Sequence, residues 1–568
     1  MKRQGFLNSK KSSGGGGRLS NLLNKDIKEL NGIILSLFCV SFLITVGIIS
    51  YKVNTSYAIF TDTIKGEKTI ELTVPNICNE VSIVSSGDTS GANAPVLSEN
   101  MIPVYYDTCD EVWKKADESN QNSKYVWYDY DNKMWANSVT VSSANRQTYL
   151  AADPGTEIPM TDILTMQVWI PRYKYTVWNY NADGTVTSEP QEIDIELENE
   201  TTTSGEIDCT DNIQGTSDGT SSGTEPTTSE ICKLKVTDTI CTDETCNGKT
   251  YTHPAFTFGE EELRGFWVGK FENSSNGECI PATEINLNTG CNVTTMDVLI
   301  KPNVASWRGT MTGTSYTNIV KMNDANNIYG FVEKQDDIHM MKSIQWGAVA
   351  YLSHSKYGIN GEISLNSSST FTTGCGPQSL GSISYGTTCN SYNTTLGQSA
   401  STTGNIYGIY DMSGGGSDAM MSNMVSPSTN FMSGQNNYTS EATHIYTNSG
   451  FDGVLYTKNA VGDYGMYDGA YNTPTQPYYD KYSFGKTYYS AASRNRTKLG
   501  EGIREIWVEA AAGWYGDYTE IIHDVAPWMH RGCSYDSGSY GGLFCASSSA
   551  GQAHVFHVSR VVIAIPVS

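Results

Sequence analysis

Positive charge is what this sequence lacks over most of its length. Only 37 of 568 residues are Lys or Arg against 60 Asp or Glu, a formal charge of −23. There is no cationic surface of the kind phosphate binding needs, which excludes nucleic acid as a generic partner. The few bases gather at one end: Lys2, Arg3, Lys10, Lys11, Arg18, Lys25 and Lys28 against Asp26 and Glu29 give residues 1–30 a net +5 and leave −28 for the rest. Long apolar runs are also scarce, with one exception. The 21 residues 31–51 carry no charge and are dominated by Ile, Leu, Val and Phe. As a helix rising 1.5 Å per residue they span about 30 Å, the thickness of a bilayer's hydrocarbon core. The basic flank lies on the N-terminal side, so the positive-inside rule predicts a cytoplasmic segment at 1–30, a transmembrane signal anchor at 31–52 and a body outside the cell. That is a single-pass protein of the cell membrane. The run exceeds the roughly 7–15 apolar residues of a cleaved signal peptide, and Ser56-Tyr57-Ala58 is a weak cleavage site.

Helical periodicity is equally rare beyond the anchor. It is confined to 343–353, where Ile344, Ala348 and Tyr351 share a face, and to the neighbourhood of 301–307. No period of 20–50 residues recurs, which disfavours a solenoid or propeller. Paired C-x-x-C knuckles are absent, which counts against zinc at Cys209, Cys232, Cys241 and Cys246. The twelve cysteines beyond the anchor instead fall as neighbours: Cys78/Cys109, Cys209/Cys232, Cys241/Cys246, Cys279/Cys291, Cys375/Cys389 and Cys533/Cys545. Outside the cytoplasm such spacing suggests disulfides between neighbours, with other connectivities open.

What is abundant is Gly, at 54 residues, and Tyr, at 35. Residues 53–125 hold short β-rich runs such as 69–74 and 81–84 between Gly, Ser, Asn and Asp, which predicts a small β-rich stalk. Residues 126–568 read as one larger domain with a flexible Ser/Thr-rich insertion at about 195–250, because 201–231 contains almost no large apolar side chain. The aromatic stretches 166–173, 251–258 and 265–272 flank that insertion as parts of one interrupted domain. Short strands, Gly turns, polar loops and few helices make the expected class α+β and irregular.

Several separated motifs then carry a resemblance. Thr403-Gly-Asn-Ile-Tyr-Gly-Ile-Tyr-Asp-Met-Ser-Gly414 is similar to the "GN.YGLYDM.GN" segment of the formylglycine-generating-enzyme-like (sulfatase-modifying factor) branch of the C-type lectin fold. Trp528-Met-His-Arg-Gly-Cys-Ser-Tyr535 with Ser559-Arg-Val-Val-Ile-Ala564 resembles that family's "RGGSW…FRVV" ending. With Gly265-Phe-Trp-Val-Gly269, Trp346-Gly-Ala-Val-Ala-Tyr-Leu352 and Ser355-Lys-Tyr-Gly358, the resemblance covers about residues 160–568 in the family's order. It implies a C-type lectin-type fold. The family holds both enzymes and binders, so function must come from the site. Its oxidases bind copper through a close pair of cysteines near the C-terminus. Here Cys533 and Cys545 have eleven residues between them and no matching motif, so a copper oxidase is a remote alternative. His253, His523-Asp524, His554 and His557 show no nucleophile-base-orienter pattern, and no catalytic residue and no reaction is implied.

Between the two terminal motifs, residues 533–558 show neither strand alternation nor helical period. Of Lys, Glu, Gln, Met and Trp, the types that adenine randomisation of an Asn codon cannot reach, only Gln552 occurs there. The layout resembles the variable proteins of diversity-generating retroelements: fixed Trp528, Arg531 and Gly532, then a mixed loop, then Ser559-Arg-Val-Val562. That resemblance implies a variable region at 528–562 whose side chains contact a ligand: His530, Cys533, Tyr535, Asp536, Ser537, Ser539, Tyr540, Cys545, Ser547, Ser549, His554, Phe556 and His557. Tyr and Phe offer rigid contact area and Ser and Gly adapt around them, as in antibody paratopes. Trp507, Trp514, Tyr515 and Tyr518 suit either an extension of that patch or the core. The expected function is a membrane-anchored, surface-displayed binder of a protein or carbohydrate outside the cell. A non-diversified adhesin or phage-type receptor-binding protein is the alternative. No cofactor is expected: calcium, which this fold can hold, would need a ligand loop, and Asp129, Asp131 and Asn132 begin one that Lys133 and Met134 do not continue.

Overall fold

The computed structural model describes residues 87–565 with internal gaps, the longest being 209–232, 278–290 and 425–478. The segments 1–30 and 31–52 lie outside the described residues, as does 53–86. Among the described residues no helix is long and apolar enough to cross a membrane. The chain divides into two units, 1–81 and 82–568, and every described residue belongs to the second.

Seven strands form the main sheet: β1 (Ile102–Asp107), β2 (Val112–Lys115), β3 (Asn137–Val141), β4 (Ile163–Pro171), β5 (Gly265–Gly269), β6 (Asp337–Met340) and β12 (Val561–Ala564). Their order across the sheet is β6-β12-β5-β4-β3-β1-β2, every pair antiparallel. β4, β5 and β12 read as nearly continuous apolar runs because both of their faces are covered. Trp169 and Trp267 are directly paired across β4 and β5 with ring centroids 5.1 Å apart. Trp267 Nε1 donates to Val96 O at 2.6 Å, which ties a residue of the expected stalk to the sheet's centre.

That sheet corrects the expected boundary at 125. β1 and β2 are strands of the main sheet, and β1 pairs Ile102 with Val139 and Val104 with Asn137 of β3. The Gly/Ser/Asn spacers that suggest a separate stalk are only the turns between edge strands. The insertion expected at 195–250 is also not uniformly irregular. Ile195–Leu197 pairs with Tyr173–Thr176, and Glu206–Asp208, Lys233–Val236 and Thr239–Cys241 form a three-stranded sheet of their own.

A second sheet carries the C-terminal region. It contains β7 (Ser417–Met424), β8 (Asp480–Tyr482), β9 (Trp528–Arg531), β10 (Ala546–Ser549) and β11 (His557–Val558), in the order β8-β7-β9-β10 with β11 beside β7. The fold is mixed and sheet-rich with few helices, an irregular α+β arrangement.

Three helices matter here: α1 (Ser143–Ala151), α2 (Thr312–Val320) and α3 (Ser343–Ser353). The helix expected over 343–353 is α3, and all eleven of its residues are buried, so it packs on every side and not only through Ile344, Ala348 and Tyr351. Its Gly347 makes this packing feasible. A Cβ there would stand 2.0 Å from Gly500 O and 2.5 Å from Glu501 Cα. The neighbourhood of 301–307 is not helical; the helix begins at Thr312, where the sequence Thr-Gly-Thr-Ser-Tyr-Thr-Asn-Ile-Val has no apolar period to announce it.

Two of the six neighbour pairs are disulfides in the described structure, Cys375–Cys389 and Cys533–Cys545. Cys109 and Cys291 are disulfide-bonded as well, and the cysteines their spacing suggests, Cys78 and Cys279, lie outside the described residues. Asp129 is spent on a local turn: its carboxylate accepts from Asn132 N at 3.2 Å and Asn132 Nδ2 at 2.7 Å.

Buried charge gathers behind β7 and β12. Arg560, fully buried, donates through Nη2 to Asp418 Oδ2 at 3.1 Å and to Asp411 O at 3.2 Å, and through Nη1 to Gly269 O at 2.9 Å. Three buried carboxyls surround it. Burial raises Asp418 to about 6 and lifts Asp411 and Glu272, the latter pushed further by the charges of Asp411 and Asp418. Glu272 is also held by Ser306 Oγ and by Gly416 N, the latter at 2.7 Å.

Candidate ligand-binding face at the C-terminal loop

The loop expected to contact a ligand is framed by strands. β9 and β10 pair antiparallel, Trp528 with Ser549, His530 with Ser547 and Arg531 with Ala546. β11 lies parallel to β7, Ser417 opposite His557, while β7 pairs antiparallel with β9. Both ends of the region therefore meet on one strand. The chain leaves β9 through Gly532 and Cys533, with φ of 80° and 57°, and returns at Cys545 under the Cys533–Cys545 disulfide.

Two buried side chains hold this loop from beneath. The fully buried Arg531 makes four hydrogen bonds to neutral acceptors: Nε to Cys545 O at 2.9 Å, Nη1 to Glu501 O at 2.7 Å and Ser343 Oγ at 3.1 Å, and Nη2 to Gly502 O at 3.2 Å. Burial lowers its pKa only to about 10, so it remains charged at neutral pH. Asp517 accepts from Phe544 N at 2.9 Å. It lies so close to Gly542 that a Cβ at 542 would fall 2.1 Å from Asp517 Oδ1. Burial pushes Asp517 up to about 8, which leaves it mostly protonated at pH 7.

That protonation predicts a pH dependence. The folded state holds the Asp517 proton more tightly than the unfolded chain, whose carboxyl has the ordinary pKa of about 3.9. Its contribution to stability is complete below about pH 4 and is lost as pH rises through 8. Between pH 7 and 8 the slope is a loss of up to about 1.4 kcal/mol per pH unit. Asp517→Asn keeps an acceptor for Phe544 N and should flatten that slope, measured as the midpoint of urea unfolding against pH. An unchanged slope would assign the dependence elsewhere.

Above this base lies an aromatic face. The Tyr535 ring stands 4.8 Å from Phe371, 6.1 Å from Phe556 and 6.4 Å from Tyr385. The Arg308 guanidinium covers Phe371 at 3.8 Å and donates through Nη1 to Val555 O at 3.1 Å. The His554 ring is tilted against both neighbours, 5.2 Å from Phe556 and 5.0 Å from His557. Tyr385 is 48% exposed and Tyr540 63%. Asp536 and Ser539 are exposed, and Tyr535, Ser537, Ser547, His554, Phe556 and His557 are partly so.

Four of the thirteen expected contact residues are not on this surface. Cys533 and Cys545 are buried in their disulfide. Ser549 is buried opposite Trp528, and its Oγ accepts from Gly551 N. His530 is 2% exposed beneath His557, ring centroids 4.1 Å apart, and burial drives its pKa down to about 3. The reason is that β9 is buried at every position and β10 at both of its ends, so part of what reads as a patternless loop is interior strand.

Tyr385 belongs to this face, and Phe371 and Arg308, 4% and 6% exposed, support it from beneath; all three were missed, because each lies in a polar loop far away in sequence and no spacing links it to 528–562. Trp507 and Trp514 are fully buried and belong to the core, while Tyr515 and Tyr518 are half-buried. His253 is structural: its Nε2 bonds Gly500 O at 2.7 Å and its Nδ1 accepts from Ala255 N at 3.2 Å. Among the described residues no group of three or more His, Cys, Asp or Glu is placed to hold a metal ion. No protein-family model matches the chain, and no curated protein matches it either.

Proposed function

We propose that this chain is a membrane-anchored, surface-displayed ligand-binding protein with a C-type lectin-type domain of the formylglycine-generating-enzyme-like branch. Its region 528–562 is the diversified target of a retroelement. The observation that carries this reading is the division of labour inside that region. Trp528, Arg531, Gly532 and Arg560, the residues expected to be fixed, are buried in the framework. Tyr535, Asp536, Ser537, Ser539, Tyr540, Ser547, His554, Phe556 and His557 lie on the outer side with Tyr385, above the buried Phe371 and Arg308. Substitution at those nine positions changes the ligand surface while the strands beneath stay as they are. The anchor at 31–52 displays the domain outside the cell, toward a protein or carbohydrate partner, and no reaction is part of this reading.

The burial of His530, Cys533, Cys545 and Ser549 favours a second reading, an adhesin whose loop does not vary, because free substitution at interior positions is costly. The DNA beside the gene separates the two. The first reading expects a reverse-transcriptase gene and a near-copy of the segment encoding 528–562 that differs only at adenines, with differences concentrated at the codons of the nine surface positions. Absence of both leaves the adhesin.

A further inference from the structure

The aromatic face has a second property besides its rings: the segments that build it show solvent neither Lys nor Arg. The stretch 366–424, which brings Phe371 and Tyr385, contains neither residue. The stretch 514–564 contains Arg531 and Arg560, both fully buried on framework oxygens. Arg308, beneath the face, is turned in as well, its guanidinium 3.8 Å over the Phe371 ring and its Nη1 on Val555 O.

Negative charge and ring faces point outward instead. Asp536 is exposed, and Ser534 Oγ donates to its Oδ1 at 2.6 Å, which steadies the carboxylate. Tyr540 ends the short turn Gly538–Tyr540, and its carbonyl accepts from Tyr518 N at 2.9 Å, so this exposed ring has a fixed root. The Tyr385 hydroxyl reaches that same turn, so close that a Cβ on Gly538 would stand 2.6 Å from it. Tyr385, Tyr535, Asp536 and Tyr540 thus stand side by side.

A tyrosine ring carries negative potential on its face, and its hydroxyl accepts as well as donates, so exposed tyrosines beside a carboxylate attract ammonium and guanidinium groups. Arg308 over Phe371 is the same pairing made within the chain. We propose that the partner of this face is a basic segment of another protein, which lays Lys or Arg side chains on Tyr385, Tyr535 and Tyr540 and pairs one of them with Asp536. This partner, which rests on the reading of 528–562 as the ligand face, narrows the choice between protein and carbohydrate. A neutral sugar does not require that every Lys and Arg be turned inward, and an anionic partner would meet Asp536 unopposed. The net −28 of residues 31–568 draws a basic segment in from a distance, which speeds association more than it selects the partner.

The test is selection of a random dodecapeptide phage library on the purified full chain near neutral pH, then calorimetric titration of the selected peptides, with an array of neutral glycans probed alongside. The expected peptides are rich in Lys and Arg. Their binding should weaken about tenfold with Asp536→Asn and about threefold or more with Tyr540→Ala, and fall at high salt. Glu118→Gln removes an equal charge just beyond β2, the edge strand five places from β12 in the main sheet, and should leave binding unchanged. All three side chains are exposed, so none of these variants opens the core. Peptides that bind through Tyr540 with no basic bias, or a neutral glycan that binds there in their place, would keep the face as a ligand site and overturn the cationic partner. Selection of no peptide would overturn that partner too. Binding of peptide or glycan that neither Asp536→Asn nor Tyr540→Ala changes would count against the face itself as well as against its basic partner.

Discussion

Replacing Arg560 with Met should lower the stability of the domain by about 3–5 kcal/mol, because it leaves Asp418, Asp411 and Glu272 buried with no counter-charge between them. The loss should grow as pH rises. Without the guanidinium the carboxyls are tolerable only when protonated, so the folded state is penalised increasingly as pH climbs away from their unfolded values near 4. Arg560→Lys restores the charge but not the fork that reaches Gly269 O, Asp411 O and Asp418 together, and it should fall between the two. Urea unfolding at pH 5 and pH 8 reads this directly. A change under about 1 kcal/mol at pH 8, or one that shrinks as pH rises, would remove Arg560 from this role.

The second large effect is steric. Gly347→Ala places a methyl group 2.0 Å from Gly500 O, and the obstacle is backbone on both sides, which no rotamer change can relieve. The expected cost is about 3 kcal/mol or more, the upper end of overpacking. Gly361→Ala, where nothing lies within 4 Å of the added carbon, is the matched control and should stay within about 0.5 kcal/mol of the parent. Equal unfolding midpoints for the two variants would refute the close approach of α3 to 500–501.

How much of the fold is legible in the sequence depends on how local each signal is. The strands Gly265–Gly269 and Val561–Ala564 announce themselves as short apolar runs, and Cys375/Cys389 and Cys533/Cys545 as close neighbours, because burial on both faces and short spacing both act over a few residues. α2 is invisible in the same terms: its Thr, Ser and Asn residues are buried by the surrounding fold and not by a periodic stripe of their own. The stalk boundary failed for a related reason. Turn-rich spacing between β1, β2 and β3 looks the same whether the strands form a small module or the edge of a large sheet, and only the pairing of Ile102 with Val139 decides.

The candidate face was legible on one side only. Tyr535, Tyr540 and Phe556 are found by composition within one segment, whereas Arg308, Phe371 and Tyr385 arrive from elsewhere in the chain. His530 and Ser549 were misplaced because β9 is buried at every position and β10 at its two ends, and strands of four residues with no alternating burial leave no period in the sequence.

The place of β12 has a consequence for synthesis. The strand is flanked on both sides in the main sheet, by β6 and β5, and it comes after the loop in the chain. The sheet cannot close until translation has read through every codon of the loop. A stop codon or a frameshift anywhere in 528–558 deletes or scrambles an interior strand, and such a chain fails to fold instead of presenting a defective surface. Loop codons are thus proofread by the domain's own assembly, and only messages read in frame to Ala564 yield a folded domain.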